Sequence, residues 1–161
     1  MDINILNKIA VKMVADSKGI LAIDESHGTC KKRFDALNID VTEENRRSYR
    51  DMLVSANSLS DYISGAILFD ETIRQKTSDG STFPDYLNKV GIIPGIKVDA
   101  GAKPLSCHPN EKITEGLDGL TKRMEEYSAL GAKFAKWRAV ISIGENMPST
   151  ACMLANSHAL A

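Results

Sequence analysis

The sequence is sparing with cysteine and shows no excess of charge of one sign. Its 161 residues include three cysteines, Cys30, Cys107 and Cys152, and no Cys-x-x-Cys pair. An odd, scattered set is typical neither of a disulfide framework nor of a zinc knuckle, so we expect free thiols in a reducing compartment. Twenty basic and twenty-one acidic side chains give a net charge of −1. This balance excludes a global field that would gather nucleic acid or an anionic membrane.

Motifs for metal ions, nucleotides and secretion are also missing. The three histidines lack the spacing of metal ligands, and the chain has neither a G-x-G-x-x-G nor a G-x-x-x-x-G-K-[ST] loop. Asp2 stands where a secretion signal would be positive, and no apolar run approaches the ~20 residues that span a bilayer. We therefore expect a cytoplasmic protein that needs no metal or other cofactor and binds neither nucleic acid nor membrane.

What the chain does have is the composition of a globular domain, with 43% hydrophobic and 25% charged residues. Its length suits one domain, residues 1–161. Hydrophobic periodicity and punctuation predict helices and strands in alternation. The predicted helices are 5–14, 29–37, a helix beginning after Thr42, 84–90, 117–130 (closed by Gly131) and one from Pro148 onward. The predicted strands, each a largely apolar run, are 19–23, 63–69, 92–98 and 134–143.

This alternation predicts an α/β protein with parallel strands that are buried between helices. Two architectures fit, an open doubly wound sheet and part of a (β/α)₈ barrel. A complete barrel typically needs ~250 residues, so in the second case the chain supplies about the first four βα units. The open, flavodoxin-like sheet is the weaker alternative, since no phosphate loop marks its switch point.

Charged side chains mark the carboxyl ends of the predicted strands. Lys136 and Arg138 are two residues apart, so they share one face of the fourth strand, while Lys97 and Asp24 lie at the ends of the third and first. Ligands bind at this edge in both architectures. Two or three cations beside a carboxylate suit a phosphorylated small molecule. The alternative is that these cations reach solvent from a strand end and that the acids only cap helices.

Several ordered motifs together resemble the class I fructose-bisphosphate aldolase family, and the resemblance covers nearly the whole chain. They are GILAIDES at 19–26, TEENRR at 42–47, ILFDET at 67–72, GIKVD at 95–99, GLDGL at 116–120, FAKWR at 134–138 and IGE at 143–145. The resemblance implies a (β/α)₈ barrel that cleaves fructose 1,6-bisphosphate, without metal, through a lysine Schiff base. It also implies that full-length members are homo-oligomers.

The resemblance also implies roles for individual residues. Asp24 matches the carboxylate that handles protons near the cleaved bond, and Lys136 matches the cation that stabilises charge there. The substrate-binding residues are Lys97, Arg138, Thr29 and Arg33. The family's Schiff-base lysine lies on a later strand that these 161 residues do not include, so we expect the isolated chain to be an inactive fragment. The alternative is a non-catalytic half-barrel that binds sugar phosphates or a partner chain.

Overall fold

The computed structural model describes residues 2–15 and 17–161. Helices and strands alternate through most of the chain, as predicted, with two short helices and a hairpin between them. In chain order the elements are α1 (Ile3–Met13), β1 (Gly19–Ala22), α2 (His27–Asp35), α3 (Glu43–Val54), α4 (Leu59–Tyr62), β2 (Ile63–Leu68), α5 (Asp70–Ile73), α6 (Phe83–Lys89), β3 (Ile93–Lys97), β4 (Gly101–Pro104), β5 (Lys112–Glu115), α7 (Leu120–Ala129), β6 (Phe134–Lys136) and α8 (Thr150–Leu160).

The chain forms two compact units. The first comprises Met1–Lys97 and Glu126–Ala135, and the second comprises Val98–Glu125 and Lys136–Ala161. The prediction of one domain over residues 1–161 stays a prediction.

The main sheet has the strand order β1-β2-β3-β6. β1 pairs with β2 and β2 with β3, both parallel, with Gly65 opposite Ile93 and Leu68 opposite Ile96 in the second pair. The predicted α/β fold with parallel strands is therefore confirmed. β2 and β3 are buried along nearly their whole length, as apolar runs in a covered parallel sheet require. β1 differs from the prediction of a buried strand, because three of its four residues are exposed. It stands at one end of the strand order.

Caps and turn residues set the ends of several helices. The Thr42 side chain accepts a hydrogen bond from the Asn45 backbone N–H and caps α3, which begins directly after Thr42 as predicted. Pro84 occupies the first turn of α6, where a missing N–H costs nothing. Gly131 follows α7 with a φ of +106°, a conformation that favours glycine.

Phe134 fills the space that two glycines leave open in the first unit. A Cβ atom built on Gly95 would lie 2.3 Å from the Phe134 ring, and one built on Gly65 would lie 3.3 Å from it. Both glycines are in the middle of buried strands, where glycine is otherwise unfavourable. The aromatic ring explains why no side chain stands at these positions.

The second unit contains a hairpin that the sequence analysis did not predict. β4 and β5 are antiparallel, with Gly101 opposite Glu115 and Pro104 opposite Lys112. α8 is joined to this hairpin by Asn156, whose side chain donates to the Lys112 carbonyl at 2.9 Å and accepts from the Thr114 N–H at 3.4 Å. Cys152 is buried beside it, and all three cysteines are free thiols, as predicted.

Candidate active site

The strand-end residues chosen from the sequence lie where parallel strands stop. Lys97 is the last residue of β3 and Lys136 the last of β6, and both are half-buried. Asp24 is half-buried two residues beyond the end of β1. Asp24 and Lys97 belong to the first unit, and Lys136 and Arg138 to the second.

The predicted fourth strand, 134–143, is wrong in its length. β6 ends at Lys136, so Arg138 does not share a strand face with it, and Arg138 is exposed. The backbone after β6 bonds to the hairpin region instead of a sheet neighbour. The Thr114 hydroxyl donates to the Arg138 carbonyl at 2.7 Å, and the Ser142 hydroxyl donates to the Asn110 carbonyl at 2.8 Å. The first bond satisfies a backbone carbonyl of the segment after β6 without a strand ladder, and the second satisfies a backbone carbonyl of the hairpin region.

Two hydroxyl side chains, those of Ser26 and Thr29, lie where the turn after β1 leads into α2. Ser26 stands at the N-cap position of α2, and its carbonyl accepts from the N–H groups of Thr29 and Cys30, both at 2.9 Å. The Ser26 hydroxyl is 3.3 Å from the Thr29 hydroxyl. Both side chains belong to exposed residues, so their hydroxyls are available to a polar ligand.

Two neighbouring side chains hold Arg33 in place. Its guanidinium is ion-paired with the Glu25 carboxylate and donates to the Tyr49 hydroxyl at 2.7 Å. The Tyr49 hydroxyl in turn lies 3.2 Å from Glu25 Oε1. The Glu25 side chain is 8% exposed and that of Arg33 is 51% exposed. The nearby carboxylate raises the pKa of Arg33, which stays cationic with one part of its guanidinium facing solvent.

The sequence analysis missed a buried cluster of charged side chains next to the turn between β1 and α2. Arg46 binds both Glu71 carboxylate oxygens, with Nη2–Oε1 at 2.5 Å and Nε–Oε2 at 2.8 Å, and Arg50 approaches Oε2 at 3.4 Å. His27 Nε2 is 3.3 Å from Glu71 Oε1. The hydrogen bonds from Arg46 hold the pKa of Glu71 below its usual range, although burial opposes them. The spacing of Arg46 and Arg50, four residues apart on one helix, is the sequence signal that could have indicated a shared partner.

The residues that the structure describes form neither a metal-binding cluster nor a membrane-spanning helix. Among residues 2–15 and 17–161, no three histidine, cysteine or acidic side chains come together as metal ligands. None of the helices that the structure describes is both long and apolar enough to cross a membrane.

The chain is similar in sequence to known fructose-bisphosphate aldolases. The family model for fructose-bisphosphate aldolase class-I matches residues 5–161. A protein of Xanthomonas axonopodis pv. citri named probable fructose-bisphosphate aldolase class 1 is 63% identical over the whole chain, which covers 48% of that relative. A chloroplastic fructose-bisphosphate aldolase 1 of Chlamydomonas reinhardtii is 53% identical over 86% of this chain and 37% of its own length.

The fold of the chain is also similar to that of a solved fructose-bisphosphate aldolase. The fructose-bisphosphate aldolase of Plasmodium falciparum, crystallised with TRAP and a small-molecule inhibitor, superposes with a TM-score of 0.90 at 47% identity. The match covers 94% of this chain and 44% of the other, so the expected fold, part of the aldolase barrel, is confirmed. The chain spans about half the length of the curated relatives it matches. This chain therefore belongs to the class I fructose-bisphosphate aldolase family.

Proposed function

We propose that this chain supplies the N-terminal half of a glycolytic class I fructose-bisphosphate aldolase. The reaction is the reversible cleavage of fructose 1,6-bisphosphate to dihydroxyacetone phosphate and glyceraldehyde 3-phosphate. The observation that carries the proposal is the family match over residues 5–161. The cationic ends of β3 and β6 support it, because the carboxyl ends of barrel strands are where such enzymes bind substrate.

We assign each site residue a role in the reaction that suits its chemistry. Lys97 and Arg138 bind the phosphate of the aldehyde half, one as a compact charge and the other as a planar fork. Asp24 exchanges protons with the substrate hydroxyls near the cleaved bond. Lys136 stabilises the negative charge that develops there. Thr29 and Arg33 add polar contacts to the substrate from α2.

The nucleophile lies outside these 161 residues in this proposal. An amine of a later lysine condenses with the substrate ketone and releases water, and the resulting iminium accepts the electron pair of the broken carbon–carbon bond. Lys97 and Lys136 have the binding and electrostatic roles given above. The chain by itself is therefore inactive, although it carries one side of the substrate site.

Borohydride trapping tests whether the nucleophilic lysine lies outside the 161-residue chain. The 161-residue chain and a full-length protein that contains it are each treated with dihydroxyacetone phosphate and sodium borohydride, and their intact masses are measured. We expect one reduced adduct on the full-length protein and none on the chain. An adduct on the chain would place the nucleophile within it, and a full-length protein that neither cleaves fructose 1,6-bisphosphate nor forms an adduct would refute the aldolase proposal.

A matched pair of lysine variants tests the role of Lys136. In the full-length protein we expect Lys136→Met to lower kcat by about 100-fold, the usual cost of removing one group that stabilises transition-state charge. Lys133→Met is the control, because that exposed residue precedes the same strand and contributes its backbone N–H to the Pro94 carbonyl. Equal rates for the two variants would contradict the role assigned to Lys136.

A non-catalytic half-barrel that binds sugar phosphates or a partner chain is the second candidate. It is favoured by the presence of Lys97, Arg33 and Thr29 in a chain without the nucleophile. Titration calorimetry with fructose 1,6-bisphosphate separates the two, with Lys97→Met as the matched variant. Saturable binding that Lys97→Met removes, without cleavage, supports the binding protein. No binding by the folded chain contradicts it.

A cytoplasmic location and a homo-oligomeric full-length protein complete the proposal. Balanced charge and free thiols support the first. The chloroplastic relative shows that members of the family work in more than one compartment. Fractionation of source cells with an antibody against this chain would decide the location.

A further inference from the structure

Arg50 is an unusual residue for its position, since its side chain is fully buried in α3. A guanidinium removed from water costs several kcal/mol unless hydrogen bonds and a counter-charge compensate for it. An apolar side chain of similar volume would fill the same space without that cost. The partners of Arg50 therefore indicate what its charge and its five N–H groups are for.

Two of those partners are backbone carbonyls on either side of Asp24. Arg50 Nε donates to the Ile23 carbonyl at 3.2 Å, and Nη2 donates to the Glu25 carbonyl at 2.6 Å. β1 ends at Ala22, and directly after it the Ile23 N–H donates to the Ile67 carbonyl at 3.1 Å. Where strand pairing no longer fixes the chain, the guanidinium holds the segment 23–25 at two points.

Other side chains fix Arg50 itself. Its Nη1 lies 3.4 Å from Glu71 Oε2, and Glu71 is anchored in turn by the bidentate bond from Arg46. The Phe69 ring centroid is 5.7 Å from Arg50 Cζ, a cation–π contact. The Cys30 sulfur lies 3.7 Å from Nη2. A side chain surrounded in this way has one accessible arrangement, so it holds the backbone in one position.

We propose that Arg50 is a positioning residue that fixes the backbone on both sides of Asp24 and thereby aims the Asp24 carboxylate. Arg50 needs no contact with substrate for this role. The inference rests on the proposed function for the identity of the reaction, while the restraint on residues 23–25 is a property of the chain alone.

The first test measures order around Asp24 in the 161-residue chain. We expect the amide hydrogens of Asp24 and Glu25 to exchange at least about tenfold faster in Arg50→Met and Arg50→Lys than in the wild type, because neither replacement bonds both carbonyls. Arg47→Met is the matched control. Arg47 is on the same helix, but it bonds to Glu44, Ser48, Asp51 and the Lys76 carbonyl and not to residues 23–25. Unchanged exchange in folded Arg50 variants would overturn the inference.

A measurement on the wild type guards against variants that do not fold. Nitrogen NMR should show that the Arg50 Nε–H exchanges with water much more slowly than the Arg47 Nε–H. The reason is that the Arg50 side chain is fully buried and its Nε–H donates to the Ile23 carbonyl. Comparable fast exchange for the two groups would contradict the proposed contact.

The second test measures turnover in the full-length protein. We expect Arg50→Lys to lower kcat by about 100-fold, the effect of a misplacement near 1 Å, with KM changed less than about threefold. Loss of stability alone would lower the active fraction and leave the turnover of each folded molecule intact. An unaltered kcat in a folded variant would overturn the inference. A wild type without aldolase activity would refute the proposed function, and the exchange experiment would still decide the restraint.

Discussion

Glu71 shows how one carboxylate can organise several cations. Arg46 binds both of its oxygens, Arg50 lies 3.4 Å from one of them, and His27 lies 3.3 Å from the other. The Glu71 side chain is 15% exposed, so these interactions are only partly screened by water. Removing a partner from such a cluster is costly, because the remaining charge stays buried.

Replacement of Glu71 by glutamine should change the pH dependence of stability. The hydrogen bonds from Arg46 lower the pKa of Glu71 from about 4.5 in the unfolded chain. The carboxylate therefore stabilises the folded state above pH 4.5, and its contribution is lost as the pH falls through the folded pKa. We expect Glu71→Gln to lose about 3 kcal/mol at neutral pH and to show a shallower decline in acid, both measured by urea unfolding.

A carboxylate away from the cluster provides the control for this experiment. Glu125 is exposed on α7, and Glu125→Gln should leave both the free energy of unfolding and its acid decline close to those of the wild type. If Glu71→Gln behaved like Glu125→Gln, the cluster would not contribute to stability.

At the scale of elements, the sequence predicts best where an apolar run is followed by an acid. The first three strands were predicted at 19–23, 63–69 and 92–98, and each is found within one residue at either end. The fourth was predicted too long. Composition does not distinguish an apolar segment on a sheet from one that is held by side-chain hydrogen bonds to a hairpin, such as the Thr114–Arg138 and Ser142–Asn110 bonds here. The β4–β5 hairpin was missed because its pairing is set by residues eight to fourteen positions apart.

The candidate site was predictable to a similar degree and for a similar reason. Lys97 was expected at the end of the third strand and is the last residue of β3. Lys136 was expected on one face of a strand over 134–143, whereas β6 ends at this residue. Arg50 was not anticipated, since it lies among charged residues of α3 that look like an exposed helical face. Only the fold shows that it is the fully buried arginine of that helix.

The pairing of Gly95 with Phe134 leads to a prediction about packing between strands. A methyl group on Gly95 would overlap the Phe134 ring, because the added Cβ would lie 2.3 Å from it. We expect Gly95→Ala to lower the free energy of unfolding by about 1–3 kcal/mol through overpacking, measured by urea unfolding. In a Phe134→Leu background the same substitution should cost much less, which gives a coupling energy between the two sites.

Gly28 supplies the control for the packing experiment. It lies in α2, and a Cβ built on it meets nothing within 4 Å. Gly28→Ala should be neutral or stabilising by up to about 1 kcal/mol, because alanine is the better helix former. Equal costs at positions 28 and 95, or a Gly95→Ala cost that Phe134→Leu does not reduce, would show that the ring does not exclude the side chain.

At the scale of the whole molecule, the sequence motifs indicated the protein family, whereas the predicted bounds of the strands did not. The motifs read at 19–26, 95–99 and 134–138 indicated the aldolase family, and the family model matches residues 5–161. They were recognisable even where the strand prediction failed, since FAKWR is the segment in which β6 ends early. Motif residues are set by chemistry at a site, whereas strand length depends on neighbours elsewhere in the fold.

The position of β1 in the sheet predicts how the isolated chain behaves in solution. Across residues 2–15 and 17–161, β1 has one neighbour in the strand order, β2. Three of its four residues are exposed, including Ile20 at 43%. An exposed apolar edge strand presents backbone N–H and C=O groups to another chain. We therefore expect the 161-residue chain to self-associate, with a mass in sedimentation that rises above 17.6 kDa as concentration increases.

Ile20→Lys should shift the chain toward monomer, because a charge on an edge strand opposes pairing. Ile143→Lys is the control, since Ile143 is 89% exposed but lies outside the sheet, and it should leave association unchanged if β1 is the contact. A wild-type chain that remains monomeric throughout, or equal effects of the two lysine variants, would exclude association through β1.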